Sequence, residues 1–132
     1  MYIDHLVLVT SDIKKTINFY TQILEMQMKK EYFESDGSTR YSVHFNNQKI
    51  NLHELGKSFL PHAHKTTPGS LDICFISFKS IKYWLEKLKK SNIKIIEGPV
   101  KRSGSVGQLL SIYFRDPNLN LIEVANIINN ND

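Results

Sequence analysis

The chain has 132 residues, 41% of them hydrophobic and 23% charged, with a formal net charge of +4 at pH 7. These values are typical of one compact soluble domain that is large enough to bury a core. The excess of positive charge comes largely from a lysine-rich stretch at 82–94, which we interpret as the solvated face of a helix. We do not interpret that stretch as a nucleic-acid surface, and no nucleic-acid partner is expected.

The start of the chain and its cysteine content indicate the compartment. Residues 2–9 are apolar but too short to cross a membrane, and no basic segment of a signal peptide precedes them. Cys74 is the single cysteine, and we expect it to be a small, buried hydrophobic side chain. Because one cysteine cannot form an internal disulfide, we predict a cytoplasmic protein without membrane contacts. The Asn-rich end of the chain is expected to fray.

The first half of the chain is expected to place one helix between a first strand and three later ones. Residues 2–9 form the first strand, and Ser11 or Asp12 caps the helix. The apolar positions of the helix recur at helical spacing: Ile13, Ile17, Tyr20, Ile23 and Leu24. Three strand-like segments with turns between them follow: 26–33, 40–45 and 49–55.

The same order of elements returns after a linker at about 57–69, which contains prolines and histidines but little periodicity. A strand is expected at 71–78, and Ser80 caps a second helix. The apolar face of that helix comprises Ile81, Trp84, Leu85 and Leu88. The remaining strand-like segments are 94–97, 108–115 and 120–127, with turns at 98–99, 103–104 and 116–118.

The spacing of the two helices indicates an internal duplication. Ile13, Ile17 and Tyr20 stand 68 residues before Ile81, Leu85 and Leu88. A shared offset of this kind favours two copies of one unit over two unrelated units. We therefore predict an α+β fold of two βαβββ modules, at about 1–56 and about 70–128. The alternative is a ferredoxin-like or other α+β sandwich without a cavity.

Three inward positions form a candidate metal site. Glu123 lies between apolar neighbours in the last strand, where a carboxylate is costly unless something pairs with it. Alternation along the strands places His5 beside Val7, and it points Asn51 and His53 away from the helix. Two imidazoles and one carboxylate suit a divalent ion such as Zn, Ni, Mn, Co or Fe(II). No local motif ties the three together, and each histidine alone can equally be an ordinary strand residue.

Other polar residues are candidates for substrate contacts. Ser111, Tyr113 and Arg115 share one face of their strand. If that face is inward, it supplies hydroxyl and guanidinium donors for an anionic or carbonyl substrate; if it is outward, it is the wet side of a sheet. The inward Asn51 is a further candidate. We expect the remaining histidines, His44, His62 and His64, to be polar surface residues, and His64 in the linker can reach a cavity mouth.

Two stretches resemble signatures of the glyoxalase/bleomycin-resistance/dioxygenase (vicinal-oxygen-chelate) superfamily. Residues 3–20 resemble its opening strand and helix, and residues 113–123, Tyr-Phe-Arg-Asp-Pro-Asn-Leu-Asn-Leu-Ile-Glu, resemble its closing hairpin. More narrowly, three further segments resemble small glyoxalase-domain-containing proteins, some of them labelled virulence-associated in bacteria: 51–54, 68–74 and 97–100. The resemblance implies two βαβββ modules whose curved sheet surrounds a cavity.

The resemblance also implies a divalent metal that is held by inward residues of the first and last strands of the modules. His5 and Glu123 match two of these ligand positions. The second module usually supplies a histidine from its first strand, but the 68-residue offset places Ile73 there. We therefore expect His53 to replace the missing ligand. Asp72 is the fallback, although strand parity directs it to the other face.

The chemistry that the resemblance implies is chelation of two neighbouring substrate oxygens by a metal that acts as a Lewis acid. We expect a metal-dependent lyase or isomerase that acts on a small oxygen-chelating substrate, with Glu123 as a possible base and Tyr113 as a hydrogen-bond donor. The alternative is a metal-free binding or resistance protein of the bleomycin-binding type, in which Glu123 pairs with Arg40 or Arg115. An Fe(II) extradiol-type dioxygenase and an epoxide-antibiotic thiol transferase are further branches. A homodimer is expected.

Overall fold

The computed structural model describes residues 1–129, and within them the fold is α+β with two curved mixed sheets. The expected fraying of the Asn-rich end concerns residues outside this range. The helical segments are α1, Ile13–Asn18, a π-helical turn, Phe19–Ile23, that continues it, and α2, Ile81–Lys90. The strands are β1 His5–Thr10, β2 Gln27–Phe33, β3 Ser38–Phe45, β4 Gln48–Glu54, β5 Asp72–Ile76, β6 Glu97–Gly104, β7 Gly107–Arg115 and β8 Leu121–Ile127. In the described part of the chain, no helix has the length and apolar character that a membrane crossing needs.

Each half of the chain forms its own sheet, and the two sheets have the same topology. Their strand orders are β1-β4-β3-β2 and β5-β8-β7-β6. In each sheet the first pair is parallel and the other two pairs are antiparallel. The predicted βαβββ order is therefore present twice. By its contacts the chain separates into unit 1, Met1–Leu71 with Pro117–Leu119, and unit 2, Asp72–Asp116 with the chain from Asn120 onward.

The core of unit 1 lies between its helical segment and one face of its sheet. Asp12 caps α1, since its Oδ1 accepts a hydrogen bond from the Lys15 amide at 3.1 Å. Buried positions on the sheet and the helical segment include Leu8, Tyr20, Leu24, Val43, Ile50 and Leu52. Ile13 and Ile17 are only half-buried, whereas Thr16 is buried and bonds to Thr10 at 2.8 Å. The helix therefore turns a slightly different face to the sheet than apolar spacing predicts.

The core of unit 2 follows the prediction closely at its helix. The Ser80 hydroxyl accepts a hydrogen bond from the Tyr83 amide at 3.1 Å and so caps α2. Ile81, Trp84 and Leu88 are buried, as the predicted apolar face requires. They pack against the sheet together with its own buried residues: Leu109, Ile112, Phe114, Ile122 and Val124.

Strand β6 differs from the prediction, since residues 94–96, which were expected to be part of a strand, lie before it. It runs from Glu97 to Gly104, through two positions that were predicted to be turns. The strand lies at the edge of its sheet and changes register between Glu97 and Val100. An edge strand tolerates Pro99 because one of its sides carries no ladder partner. Gly98 has φ +105, and a Cβ there would lie 2.3 Å from the Ser111 carbonyl oxygen. These residues therefore form a bulge rather than a turn.

Candidate functional site

The sheet of unit 1 carries polar side chains on the face opposite its buried core. The register places Lys49 beside His5 and His44, and Asn51 beside Val7 and Ser42. Since paired residues share a face, these side chains lie in rows across the sheet. Part of the surface forms a pocket of about 120 Å³. We call the polar side chains that line it the polar face of unit 1: Glu31, Arg40, Ser42, Lys49, Asn51 and His53.

Arg40 is held in one orientation within this face. Its guanidinium carbon lies 4.2 Å from the centre of the Phe33 ring and 4.1 Å from that of Phe59. Its Nη2 donates to Asp36 at 2.9 Å, and its Nε donates to the Ser38 hydroxyl at 3.2 Å. Hydrogen bonds from the Ser38 hydroxyl and amide, with Arg40, lower the pKa of Asp36 to about 2. The carboxylate therefore stays ionised, and it fixes the guanidinium between two aromatic rings.

His53 has an unsatisfied nitrogen. Its Nδ1 is buried and has no hydrogen-bond partner among the described residues. The ring stands edge-on to Phe59, with 5.2 Å between the ring centres. Desolvation, followed by the charges of Arg40 and His62, lowers the pKa of His53 below its ordinary value. The lowered pKa makes His53 a neutral imidazole at pH 7. A buried polar atom without a partner costs about 1–3 kcal/mol. A ligand group can supply the bond that Nδ1 lacks.

His5 lies elsewhere on the same sheet. Its Nδ1 donates to Asp4 Oδ2 at 2.6 Å, and its side chain is exposed. A carboxylate on Nδ1 orients a histidine so that Nε2 can bind a metal. His5 pairs with Lys49, whereas His53 pairs with Val9, four residues further along the ladder. At a rise of about 3.3 Å per residue, the backbone positions of the two histidines are about 13 Å apart along the strands, so they stand at different places on this face of the sheet.

The predicted set of His5, His53 and Glu123 stays a prediction, and an ion shared by the two histidines would require their side chains to extend toward each other along the sheet. His53 faces the expected side of the sheet, but it stands in a different row from His5. His5 keeps a geometry that suits a metal ligand. Within residues 1–129, no three His, Cys, Asp or Glu side chains are grouped as a ready-made metal site.

Unit 2 carries a second polar row, which runs across all four of its strands. The register aligns Cys74, Glu123, Tyr113 and Glu97. The buried Ser111 donates its hydroxyl hydrogen to Glu123 Oε2 at 2.6 Å. A carboxylate among apolar neighbours is costly without a partner. Glu123 therefore has at least one hydrogen-bond partner within the protein.

Tyr113 connects Glu123 to two further charged groups. Arg102 Nε donates to the Tyr113 hydroxyl oxygen at 3.1 Å, and Arg102 Nη2 donates to Glu97 at 2.9 Å. Burial raises the pKa of Tyr113 and the Glu123 carboxylate adds to the rise, while the bond from Arg102 opposes it. Tyr113 therefore stays a neutral phenol that can donate a hydrogen bond. Of the predicted substrate contacts on β7, Ser111 and Tyr113 share the face of Glu123, and Arg115 is exposed.

Cys74 corrects two expectations. It is exposed rather than buried, and its ladder partner is Glu123. Desolvation of the sulfur and the neighbouring Glu123 carboxylate raise the pKa of Cys74 to about 12, so the thiol stays protonated. The same register puts Asp72 on the face of Glu123 and Ile73 on the opposite face, the reverse of the expectation.

The strands do not keep the 68-residue offset of the helices. Cys74 is the residue of β5 that faces the same way as Glu123, and it stands seven residues before Ile81. His5 stands eight residues before Ile13. This spacing differs by one residue, and an odd difference reverses the face of a strand.

The remaining histidines are His44, which shares the row of Lys49 and His5, and His62 and His64 in the linker. His44 Nε2 and the Ser42 hydroxyl form a hydrogen bond of 2.9 Å. The exposed His62 donates from Nδ1 to the Ala63 carbonyl at 2.8 Å, and His64 is also exposed. For His62 and His64 the expected surface role agrees with their exposure, whereas His44 is half-buried.

The comparisons with known proteins agree with this architecture. The model of the Glyoxalase/Bleomycin resistance protein/Dioxygenase superfamily matches residues 2–124. The chain belongs to this superfamily. It is 46% identical over 123 residues to glyoxalase domain-containing protein RDO1 of Mycosarcoma maydis; the match covers 93% of the chain but 66% of that protein, just under two thirds of its length.

A bacterial relative matches over most of both chains. The chain is 43% identical over 126 residues to virulence protein STM3117 of Salmonella typhimurium strain LT2, covering 96% of the chain and 84% of that protein. The crystal structure of the same Salmonella protein has a TM-score of 0.88 at 42% identity and covers 97% and 98% of the two chains. These relatives establish the superfamily and the fold of the chain.

Sequence reasoning missed the aromatic clamp around Arg40. Alternation along the third strand places Arg40, Ser42 and His44 on one face, which was a usable signal. Phe59 lies in the linker, where no periodicity indicates its position. Only the fold shows that it packs on Arg40 and His53.

Proposed function

We propose that the protein is a divalent-metal-dependent enzyme of lyase or isomerase type, acting on a small molecule with neighbouring oxygens. The observation that carries this proposal is the bond from His5 Nδ1 to Asp4, which leaves Nε2 as a metal donor. His5 and Glu123 are the proposed ligands, and His53 is not. When bound, the metal would supply Lewis-acid stabilisation of an oxyanion.

The polar residues of each unit have distinct proposed roles in this reaction. In unit 1, Asn51 and His53 bind and orient the substrate. In unit 2, the Tyr113 phenol donates a hydrogen bond to a substrate oxygen, and Ser111 holds Glu123 in one orientation. Glu123 is also the candidate proton acceptor when it is not occupied as a ligand.

Metal analysis tests the proposal directly. After supply of stoichiometric metal and dialysis, the wild-type protein should retain about one ion per chain. His5→Ala and Glu123→Gln should lose it, and His62→Ala, which removes an exposed histidine of the linker, should retain it. A folded wild-type protein that retains no metal would reject the proposal.

A metal-free binding protein is the second candidate function. It is favoured by the hydrogen bond from Ser111 to Glu123, since that carboxylate is satisfied without an ion. In this case the protein would sequester a small molecule without turning it over. Absence of metal together with saturable ligand binding would select this function.

A further inference from the structure

We propose that the polar face of unit 1 binds the oxyanion end of a small organic substrate, with Arg40 as its charged donor. The inference rests on the proposed function, because it names the chemical class of the molecule that the site accepts. It concerns binding alone and does not depend on the metal.

The guanidinium group of Arg40 is preorganised for binding an anion. Nη2 of Arg40 donates a hydrogen bond to Asp36, and Nε donates one to Ser38. Nη1 has no partner within the described part of the chain. The rings of Phe33 and Phe59 also contact the group, at 4.2 and 4.1 Å from its central carbon. Little side-chain freedom is left to lose on binding, so a hydrogen bond from Nη1 to an oxyanion retains more of its free energy.

The charges that line the pocket favour an anion. Arg40 and Lys49 are cationic, and Glu31 is the one carboxylate among the residues that line it. Glu31 is the ladder partner of Arg40, yet the carboxylate in contact with the guanidinium is that of Asp36. A ligand oxyanion would therefore meet Nη1 of Arg40 without displacing an existing ion pair, and Lys49 adds positive charge further along the same pocket.

His53 provides the second half of the recognition. It lines the same pocket and adjoins Arg40 through their shared contact with Phe59. A neutral imidazole nitrogen can accept from a hydroxyl group or donate to a carbonyl oxygen. A carboxylate or phosphate that carries a hydroxyl or carbonyl group on the adjacent carbon would engage Arg40 and His53 together.

The probe for this inference is L-lactate, with lactamide as its uncharged counterpart and inorganic phosphate as a second anion. Each would be titrated into the full-length, chelator-treated protein and followed by ¹H–¹⁵N NMR. Lactate or phosphate should shift resonances of β3 and β4 saturably, and lactamide should bind about tenfold more weakly than lactate. Binding of lactate alone assigns a carboxylate, and binding of phosphate alone assigns a phosphoryl group.

Matched variants test the role of Arg40. Arg40→Gln should weaken anion binding by about tenfold or more. Lys30→Gln, which removes the same charge from the opposite face of β2, should change it by less than about twofold. If Arg40→Gln does not fold, Arg40→Lys keeps the charge without the planar fork and should bind several-fold more weakly.

Three results would overturn the inference: neither anion binds, lactamide binds as well as lactate, or Arg40→Gln and Lys30→Gln have equal effects. The outcome is separable from that of the proposed function, because metal content is measured on protein that has been supplied with metal and dialysed, without chelator treatment. If the protein binds the anion but no metal, the proposed metal-dependent enzyme is rejected and anion binding by the polar face of unit 1 is kept. If it binds metal but no anion, anion binding is rejected and the proposed enzyme is kept.

Discussion

At the scale of single residues, the sequence predicted the face of the sheet on which a side chain lies. It did not predict which residue of the neighbouring strand pairs with it. Alternation correctly placed His53 on the side of the sheet away from the helix. The register then showed that His53 lies four residues from the row of His5. The pairing of β1 with β4 depends on how the whole unit packs, so no local pattern encodes that distance.

Asp36 gives a prediction about pH at this scale. Its pKa falls from 3.8 to about 2 in the folded protein, chiefly through Ser38. A carboxyl group with a lowered folded-state pKa stabilises the fold above its unfolded value, and this contribution is lost as the pH falls from 3.8 toward 2. Asp36→Asn should therefore reduce the free energy of unfolding at pH 6 and have a smaller effect near pH 2.

Urea unfolding of wild type and Asp36→Asn at the two pH values measures this difference. Glu34→Gln, which changes an exposed carboxylate on the same unit, controls for the general effect of removing a negative charge. A difference between wild type and Asp36→Asn that does not change with pH would contradict the role of the Ser38 and Arg40 contacts.

At the scale of elements, strongly periodic segments were predicted well and irregular ones were not. The α2 helix and its cap matched the expectation because its apolar positions repeat at helical spacing. Strand β6 was misread because Gly98-Pro99 and Ser103-Gly104 have the composition of turns. An edge strand with a bulge uses the same residues, and only its partner β7 distinguishes the two structures.

Gly98 gives a prediction at the element scale. Gly98→Ala would place a Cβ 2.3 Å from the Ser111 carbonyl oxygen at φ +105, so it should destabilise the protein by about 2 kcal/mol or more. Gly37→Ala is the matched control, because Gly37 also has a positive φ, +69, but no atom lies within 4 Å of its Cβ position. Thermal or urea unfolding compares the two variants, and equal losses would contradict the close approach of β6 to β7.

At the scale of the whole molecule, the repeated topology was predictable because both helices carry the same apolar spacing. The number of residues between the strand and the helix in the second half was not predictable, because insertions and deletions in loops leave no periodic pattern. The spacing from the site face of the strand to the helix differs by one residue between the halves, so the prediction placed Ile73 rather than Cys74 on that face of β5. The superfamily assignment did not depend on it, because the opening and closing segments carry the resemblance.

The predicted homodimer belongs to this scale. Exposed apolar side chains such as Tyr2, Ile76 and Phe78 offer surface that a second copy can cover. Light scattering coupled to size exclusion at micromolar concentration should give twice the mass of one chain. Phe78→Ser, which replaces a fully exposed aromatic side chain, should shift the protein toward the monomer if that residue lies at the interface. A wild-type monomer under these conditions would contradict the prediction.

We propose different roles for the two histidines of the unit 1 sheet, His5 as a metal ligand and His53 as a substrate contact. The decisive measurement compares metal affinity and lactate affinity for His5→Ala and His53→Ala. His5→Ala should lose the metal and still bind lactate, while His53→Ala should keep the metal and bind lactate more weakly. If His53→Ala lost the metal as completely as His5→Ala, the separation of roles would be wrong.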